Sequence, residues 1–273
     1  MKKILKSLTP PILFNLSNQY RTKNYGWFGD YSSWEEAQKN SSGYDNKKIL
    51  EKVRTSLLKV KHGEALYERD SVLFDEIHYS WPLLSGLLLA SSKSGGSLRV
   101  LDFGGSLGST YYQNKKFLDQ LENVSWNVVE QKHFVDVGKK DFADERLHFY
   151  YDIDSCVQEQ HPNVLILSSV MQYIESPYTL LDTLLKNNFD FVLLDLMAIS
   201  TSKERLTIQI VDPKIYTADY PCWMLDIDII NNIFIKNSFE LISNFTALND
   251  YKVISNGSEI GKYIGQIRIK NVK

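Results

Sequence analysis

The amino-acid sequence predicts an α/β protein whose core is a doubly wound, mostly parallel sheet. After residue 96, five short apolar runs alternate with amphipathic stretches that have helical spacing. Runs of this length suit strands that are buried on both faces, and the intervening helices suit the crossovers that parallel strands need. The five runs are LRVLDF, SWNVVE, LHFYY, NVLILSS and FDFVLLDL.

The segments around these strands divide the chain into two predicted domains. Residues 1–95 are expected to form a helical extension, because 34–89 repeats apolar residues three and four apart after a Ser-x-x-Glu capping signal. A Ser/Gly cluster at 94–97 marks the boundary. Residues 96–273 carry the sheet, and the stretches FELISNFTA and YIGQIRIK predict an antiparallel hairpin at its edge.

Composition limits the partners and the compartment that we expect. The 273-residue chain has a net charge of -2 and a pI of about 6.2, so it lacks the positive field that attracts nucleic acid. Its two cysteines, Cys156 and Cys222, form neither a CxxC motif nor a Cys/His spacing typical of zinc. The prediction is a cytoplasmic protein that does not bind nucleic acid.

The N-terminal stretch MKKILKSLTPPILFNLSNQYR combines lysines with apolar residues. Lys6 and the pair Pro10-Pro11 interrupt the apolar run well before the roughly 20 residues that a membrane span needs. Three interpretations stay open. The stretch is a short helix packed on the domain, a peripheral anchor at the inner membrane with its lysines on lipid headgroups, or a secretory signal.

The stretch VLDFGGSLG ends the first predicted strand in an acid and a glycine cluster. In an open parallel sheet, the first strand-to-helix turn is where backbone approaches a ligand closely. Gly104, Gly105 and Gly108 permit positive φ and lack the Cβ that would block this approach. A helix beginning near Ser109 would direct free N–H groups towards the ligand, so the stretch predicts a cofactor site.

The residues of this loop favour S-adenosylmethionine over NAD. A dinucleotide fingerprint, G-x-G-x-x-G, aligned on Gly105 and Gly108 puts Phe103 in place of its first glycine. The loop of S-adenosylmethionine enzymes has an acid at the strand end followed by glycines, because it holds a cationic aminoacyl group and no pyrophosphate. Asp102 and Gly104 match this D-x-G-x-G-x-G pattern, with a serine at its middle glycine.

A second strand-end acid supports the same cofactor. Glu130 closes the run WNVVE 22 residues after Gly108, near the spacing at which an acid on the second strand accepts hydrogen bonds from ribose hydroxyls. Asp152 or Asp154, after the third run, falls where a contact to the adenine amino group would lie, or such an acid caps the next helix. The alternative for the first two acids is that Asp102 caps a helix and Glu130 is a solvated strand-end group.

Three stretches, VLDFGGSLGSTYYQ, WNVVEQKHFVDVGK and LILSSVMQYIESP, resemble those of one family. They look like bacterial S-adenosylmethionine-dependent methyltransferases that are often encoded among surface-polysaccharide genes. The similarity extends to WEEAQKNSSGYD, YERDSVLFD and IYTADYPCW. The resemblance implies a Rossmann-like methyltransferase fold with a seven-stranded sheet and an N-terminal cap. It also implies cofactor contacts from Asp102, Gly104, Gly105, Gly108 and Glu130, and a passage to the methyl group lined by Ser168, Gln172 and Tyr173.

An insertion at about 198–225 follows the fifth strand, which is predicted to end in Asp195. It is too long and too aromatic for a plain connection, and long loops at strand exits commonly carry substrate contacts. Aromatic rings and a guanidinium suit a sugar that bears a phosphate or carboxylate. The acceptor-site candidates are Arg69, Arg205, Gln209, Tyr216, Tyr220 and Trp223. Asp70, next to Arg69, is a further site candidate. Alternatively, the aromatic residues only attach the insertion to the sheet, and Arg69 and Asp70 form a local ion pair.

The predicted reaction is O-methylation of a saccharide or sugar-nucleotide intermediate in surface glycan biosynthesis. A base would assist deprotonation of the acceptor hydroxyl, and His78 is the candidate because the cap is expected to cover the site. The alternative is a surface or packing histidine. No histidine has a partner at metal-ligand spacing, so no metal is predicted. Two other functions stay open: a non-catalytic binding module in a glycan-assembly complex and an NAD-dependent sugar oxidoreductase.

Overall fold

The structure is a computed structural model that describes residues 25–42, 46–213, 215–247 and 250–271. The interpretations of the N-terminal stretch concern residues 1–21, which lie outside the described residues. Within the described part of the chain, no helix has the length and apolar character that a bilayer crossing requires.

The part of the chain before the central sheet combines helices with short strands. It contains β1 (Gly26–Tyr31), α1 (Trp34–Lys39), α2 (Asn46–Lys61), β2 (Tyr67–Arg69), β3 (Val72–Phe74) and α3 (Trp81–Lys93). The expectation of helix throughout 34–89 is therefore wrong between α2 and α3, where β2 and β3 form an antiparallel hairpin. Its two-residue turn, Asp70 and Ser71, has φ values of 51° and 65°, which a helix does not allow.

The central part of the chain alternates strands and helices, as the apolar runs predicted. It contains β4 (Ser97–Phe103), α4 (Ser109–Leu118), β5 (Asn123–Val129), α5 (Lys132–Asp141), β6 (Leu147–Tyr150), α6 (Ile153–Gln160), β7 (Val164–Ser168), a 3-10 turn (Met171–Tyr173), α7 (Pro177–Leu184) and β8 (Phe191–Ser200). The rest contains β9 (Arg205–Ile210), β10 (Asp219–Met224), α8 (Ile227–Lys236), β11 (Phe239–Thr246), β12 (Lys252–Ser255) and β13 (Ser258–Lys270).

The central sheet has the strand order β11-β13-β8-β7-β4-β5-β6. Strands β4 to β8 pair in parallel, whereas β13 runs antiparallel to both of its neighbours. The α/β fold with a mainly parallel sheet is thus confirmed, and so is the antiparallel pair at the C-terminus. The path holds seven strands, but β12 also pairs with β13, so the sheet has eight in the described residues.

Both faces of the sheet are covered by helices, which explains why its strands are apolar throughout. Successive side chains of a strand point to opposite faces. In β7, Val164 and Ile166 enter a core with α2, α3, α4 and α5, while Leu165 and Leu167 enter a second core with α6, α7 and α8. Because α2 and α3 belong to the first core, the predicted extension at residues 1–95 shares its packing with the sheet.

The insertion forms a second sheet instead of a long loop. Strand β9 pairs antiparallel with β10 and with β1, which gives the order β1-β9-β10. Strand β8 does not end at Asp195, as the sequence predicted, but continues to Ser200 and passes a left-handed residue, Leu196, with a φ of 52°. The continuation carries the chain away from the parallel sheet and into this antiparallel sheet.

Candidate functional site

The loop between β4 and α4 has the backbone that its glycines predicted. Gly104 and Gly108 have φ values of 71° and 94°, in the region that glycine adopts without steric cost. A Cβ on Gly105 would lie 2.5 Å from the carboxyl carbon of Asp102, closer than real contacts allow. The backbone of Gly105 therefore packs directly against the Asp102 carboxyl, which a residue with a side chain would not allow.

Asp102 is the most unusual acid of the site because it is almost completely buried, at 1% exposure. Its Oδ2 accepts a hydrogen bond of 3.0 Å from Nε1 of Trp126 on β5. Burial raises the pKa of Asp102 to about 7, and the charge of Glu130 adds to that effect. A carboxyl that is buried in this way costs stability, which is typical of functional groups.

Glu130 lies beside this loop, as the strand-end spacing predicted. In the parallel register, Val129 pairs with Phe103, so the ends of β4 and β5 are adjacent. The Glu130 carboxylate accepts hydrogen bonds from the backbone N–H of Gln131, at 2.5 Å, and of Ser106 in the loop. Burial nevertheless raises the pKa of Glu130. The two acids thus face one region between the ends of β4 and β5.

Left-handed non-glycine residues cluster at the same edge of the sheet. Ser106 follows β4, Ser169 follows β7 and Leu196 lies in β8, with φ values of 56°, 53° and 52°. Such residues are uncommon, and they concentrate at functional sites. The side chain of Gln172 ties two of them together, since its Nε2 donates to the carbonyl of Leu196 at 3.1 Å and to Oγ of Ser169 at 3.4 Å.

The two residues predicted to line the passage with Tyr173 lie at or just after the end of β7. They are Ser168 and Gln172, and they differ in solvent exposure. Ser168 is partly exposed at the end of the strand, whereas Gln172 is completely buried. The Oε1 atom of Gln172 is also buried and accepts no hydrogen bond from the described residues. An acceptor left in this state costs free energy, so it suits a donor on a bound ligand.

Asp152, predicted to contact adenine or to cap a helix, forms the cap. Its Oδ1 accepts from the backbone N–H of Ser155 at 2.8 Å, and its Oδ2 accepts from the hydroxyl of Ser155 at 2.9 Å. These bonds stabilise the carboxylate and lower its pKa. Asp152 follows β6 at the same edge of the sheet as Asp102 and Glu130. A ligand there would have to bind a carboxylate that already accepts hydrogen bonds from Ser155 of α6.

Two tyrosines of the predicted acceptor site come together with Tyr173 of the predicted passage. The hydroxyl of Tyr173 donates to Oε1 of Gln209 at 2.9 Å, and the rings of Tyr173 and Tyr220 meet edge to face at 5.3 Å. The hydroxyls of Tyr216 and Tyr220 are 3.4 Å apart. We call Tyr173, Tyr216 and Tyr220 the tyrosine cluster. Because Tyr173 directly follows Gln172, the cluster borders the edge of the sheet that carries the two acids.

Arg205 and Trp223, the other two candidates of the insertion, lie elsewhere. Nε of Arg205 donates to the carbonyl of Gly29 at 3.1 Å, and Arg205 is four residues from Gln209, about 13 Å along β9. Trp223 is three residues from Tyr220 on β10, hence on the opposite face. There its ring stacks on Trp34, with ring centres 6.3 Å apart. The sequence placed both in one pocket because strand register and faces were unknown.

His78 contacts the N-terminal hairpin. Its side chain is 51% exposed, its Nε2 is 3.7 Å from a carboxylate oxygen of Glu76, and its ring meets Phe74 edge to face at 5.5 Å. These contacts match the surface or packing histidine that was the alternative to a base.

The hairpin itself contributes groups next to the site, of which the sequence analysis named Arg69 and Asp70 but not Glu68. Glu68 is buried, and its Oε2 accepts from the hydroxyl of Ser109, the first residue of α4, at 2.8 Å. This bond fixes β2 beside the glycine loop. Arg69 is partly exposed, and within the described ranges it makes no hydrogen bond or ion pair through its guanidinium. The signal for this hairpin was the strand-favouring residues Tyr67, Val72 and Phe74 on the two sides of the polar pair Asp70-Ser71.

The comparisons with known proteins give similarity to solved structures only, since no family model and no curated protein matches the chain. The glycopeptide N-methyltransferase MtfA complexed with sinefungin has 13% identity and a TM-score of 0.45, over 69% of this chain and 87% of that one. The N-terminal domain of EvdMO1 in the presence of SAH and D-fucose has 11% identity and a TM-score of 0.46, over 84% and 98%.

A third similar structure is the magnesium protoporphyrin IX methyltransferase ChlM from Synechocystis PCC 6803 with bound SAM. It has 9% identity and a TM-score of 0.42, over 70% of this chain and 79% of that one. With TM-scores below 0.5, these similarities do not identify the substrate or the catalytic residues of this chain.

Proposed function

We propose that this chain is an S-adenosylmethionine-dependent methyltransferase whose acceptor is the hydroxyl of a saccharide or sugar nucleotide. The observation that carries the proposal is the pairing of Asp102, buried against the backbone of Gly105, with Glu130 at the end of the next strand. Two acids in this arrangement suit a ligand with a cationic group near a ribose, and they do not suit the pyrophosphate of a dinucleotide.

Three observations fit the cofactor to the chain's own residues. A Cβ on Gly105 would lie 2.5 Å from an Asp102 carboxyl oxygen, so only glycine lets the loop backbone pack against this carboxyl, as a turn that approaches a ligand closely requires. Asp102 accepts a single hydrogen bond within the described residues, which leaves oxygen lone pairs for a cationic amino group. The buried Oε1 of Gln172 accepts none from those residues and suits a second donor.

The roles of the residues follow from these positions. Bound S-adenosylmethionine would supply a methyl group on a positively charged sulfur. Asp102 would hold the aminoacyl end through its carboxylate, and Glu130 would accept hydrogen bonds from the ribose hydroxyls. Gln172 would fix the ligand from the β7 side, and the backbone of the loop would exclude water from the nucleoside.

The acceptor would lie over the tyrosine cluster. Burial raises the pKa of Tyr173 and of Tyr220 well above the ordinary value, so both hydroxyls stay protonated. The Tyr173 hydroxyl donates to Gln209, so its oxygen would accept a hydrogen bond from a sugar hydroxyl. Tyrosine rings and hydroxyls suit the faces and hydroxyls of a sugar. The guanidinium available for a phosphate or carboxylate is that of Arg69, since Arg205 is bound to Gly29.

The test of the proposal is methyl transfer from S-adenosylmethionine with a labelled methyl group to UDP-glucose, UDP-galactose, GDP-mannose and the free sugars, followed by mass spectrometry. We expect a methylated product with the wild type and with Glu122→Gln, an exposed control near β5. Glu130→Gln should lose most of the product. Product formation that is equal in Glu130→Gln and in the control would contradict the site, and absence of any product would contradict the acceptor class.

A further inference from the structure

The turn of the β2-β3 hairpin presents one carboxylate in a fixed position. Asp70 and Ser71 form its two residues, both with positive φ. The backbone N–H of Ser71 donates to Glu68 at 2.7 Å, and its carbonyl accepts from the hydroxyl of Ser56 at 2.9 Å. The turn is therefore anchored on two sides, while the side chain of Asp70 is exposed. Aspartate tolerates this left-handed conformation better than most residues.

The turn lies over the edge of the sheet where the proposed cofactor and acceptor would meet. On one side, Glu68 is bonded to Ser109 at the start of α4. On the other side, burial is the main cause that raises the pKa values of Tyr173 and Tyr216, and the negative charge of Asp70 contributes to both. Because a charge acts on a pKa mainly over short distances, Asp70 lies near the tyrosine cluster.

Of the three acids next to the hairpin and the end of β8, which are Glu68, Asp195 and Asp70, Asp70 is the one whose oxygens are available within the described residues. Both oxygens of Glu68 are occupied, Oε1 by Ser71 and Oε2 by Ser109. Asp195 is buried and accepts hydrogen bonds from the backbone of Leu196 and from the side chain of Ser80. Asp70 accepts no hydrogen bond from any residue that the structure describes. Although Asp70 keeps solvent-accessible surface, the protein atoms packed around it raise its pKa through desolvation, and the charge of Arg69 opposes that shift.

We propose that Asp70 binds the acceptor hydroxyl and takes its proton during methyl transfer. The inference rests on the proposed function and adds the base, a role for which the sequence analysis named His78. The acceptor oxygen forms a bond to the methyl carbon as the carbon–sulfur bond breaks, and the bonding electron pair passes to sulfur. Asp70 takes the hydroxyl proton and releases it to water, so the products are a methyl ether, S-adenosylhomocysteine and a proton.

Several titratable groups surround Asp70 and enter any pH profile. They are Tyr67, Glu68 and Arg69 of its own hairpin, Asp195 of β8, Tyr173 after β7, Tyr216 of the insertion and Tyr263 of β13. The tyrosines stay protonated across the neutral range because burial raises their pKa values. If kcat rises with pH in the wild type and this rise disappears when Asp70 alone is replaced, the titrating group is therefore Asp70.

The first experiment measures sugar binding to protein saturated with S-adenosylhomocysteine. The probes are UDP-glucose, UDP-galactose, GDP-mannose and the free sugars, detected by saturation-transfer NMR. Asp70→Gly removes the carboxylate while keeping the left-handed turn without strain. We expect at least tenfold weaker binding in Asp70→Gly, with unchanged affinity for S-adenosylhomocysteine. Asp75→Asn, an exposed acid just after the hairpin, is the control and should bind the sugar like the wild type.

The second experiment separates the base from a binding role. Asp70→Asn keeps an oxygen that accepts the hydroxyl hydrogen bond but cannot take a proton. We expect sugar affinity within tenfold of the wild type, a kcat lower by roughly 100-fold or more, and loss of the rise of kcat with pH above the ordinary aspartate pKa of 3.8.

Four results would overturn the inference. The wild type binds none of the probe sugars, or Asp70→Gly binds the sugar as tightly as the wild type does. The wild type binds a sugar but transfers no methyl group to it, or Asp70→Asn has the kcat of the wild type. Failure of the wild type to bind S-adenosylhomocysteine would instead contradict the proposed function itself. The two failures are thus distinguished by the cofactor titration.

Discussion

Replacing Asp102 with asparagine should stabilise the ligand-free protein while impairing its cofactor site. The amide side chain would keep the shape and an oxygen that accepts from Nε1 of Trp126, a bond of 3.0 Å in the wild type. What the change removes is a buried group that must ionise above neutral pH. Functional groups that cost stability are expected where a ligand supplies the missing interaction.

The size of the effect follows from the pKa of Asp102. The folded protein raises it from 3.8 to about 7, and each pH unit corresponds to about 1.4 kcal/mol. The folded state binds the proton more tightly, so the free energy of unfolding falls as pH rises from 3.8 through about 7. Ionisation of Asp102 therefore lowers the free energy of unfolding by about 4 kcal/mol in total, and this loss is complete above pH 7.

The assay is urea unfolding of both proteins without ligand at about pH 5 and about pH 8. Because all other titrating groups are shared, the difference between the two proteins isolates Asp102. We expect Asp102→Asn to gain stability relative to the wild type as pH rises, by about 2–4 kcal/mol between these conditions. A constant difference, or a variant that loses stability relative to the wild type at the higher pH, would refute the reasoning.

Three further changes test other parts of the site. Glu130→Gln should weaken S-adenosylhomocysteine binding by about 1–3 kcal/mol in calorimetry, and unchanged affinity in the folded variant would remove Glu130 from the ribose contact. Asp152→Ala should lower the free energy of unfolding by about 1 kcal/mol because α6 loses its cap to Ser155; a larger loss of cofactor affinity than of stability would reveal a ligand contact. Arg205→Ala should lower stability by about 1 kcal/mol through its bond to Gly29, with the acceptor KM unchanged; a raised KM would return Arg205 to the acceptor site.

The sequence predicted the parallel part of the sheet well because each strand carries its own local signal. Strands buried on both faces need continuous apolar runs, and β7 shows this in Val164 to Leu167. The glycine loop was predictable for the same reason, since the positive φ of Gly108 and the close contact of Gly105 with Asp102 each require glycine.

The remaining features depend on contacts between distant parts of the chain. Strand β1 forms its sheet with β9, which pairs Gly26 with Ile210, and no local pattern indicates such a partner. The positions of the acceptor candidates were not predictable for the same reason. Tyr220 and Trp223 lie on opposite faces of β10, which follows only once β10 is known to be a strand. The hairpin turn at Asp70 lacked the glycine or asparagine that usually marks it.

The central claim is that the loop between β4 and α4 holds S-adenosylmethionine. Calorimetric titration of the wild-type protein with S-adenosylmethionine, S-adenosylhomocysteine and NAD in parallel tests it most directly. The account predicts saturable binding of the first two ligands and none of NAD. Binding of NAD alone, or of none of the three, would contradict the assignment of Asp102 and Glu130 to this cofactor.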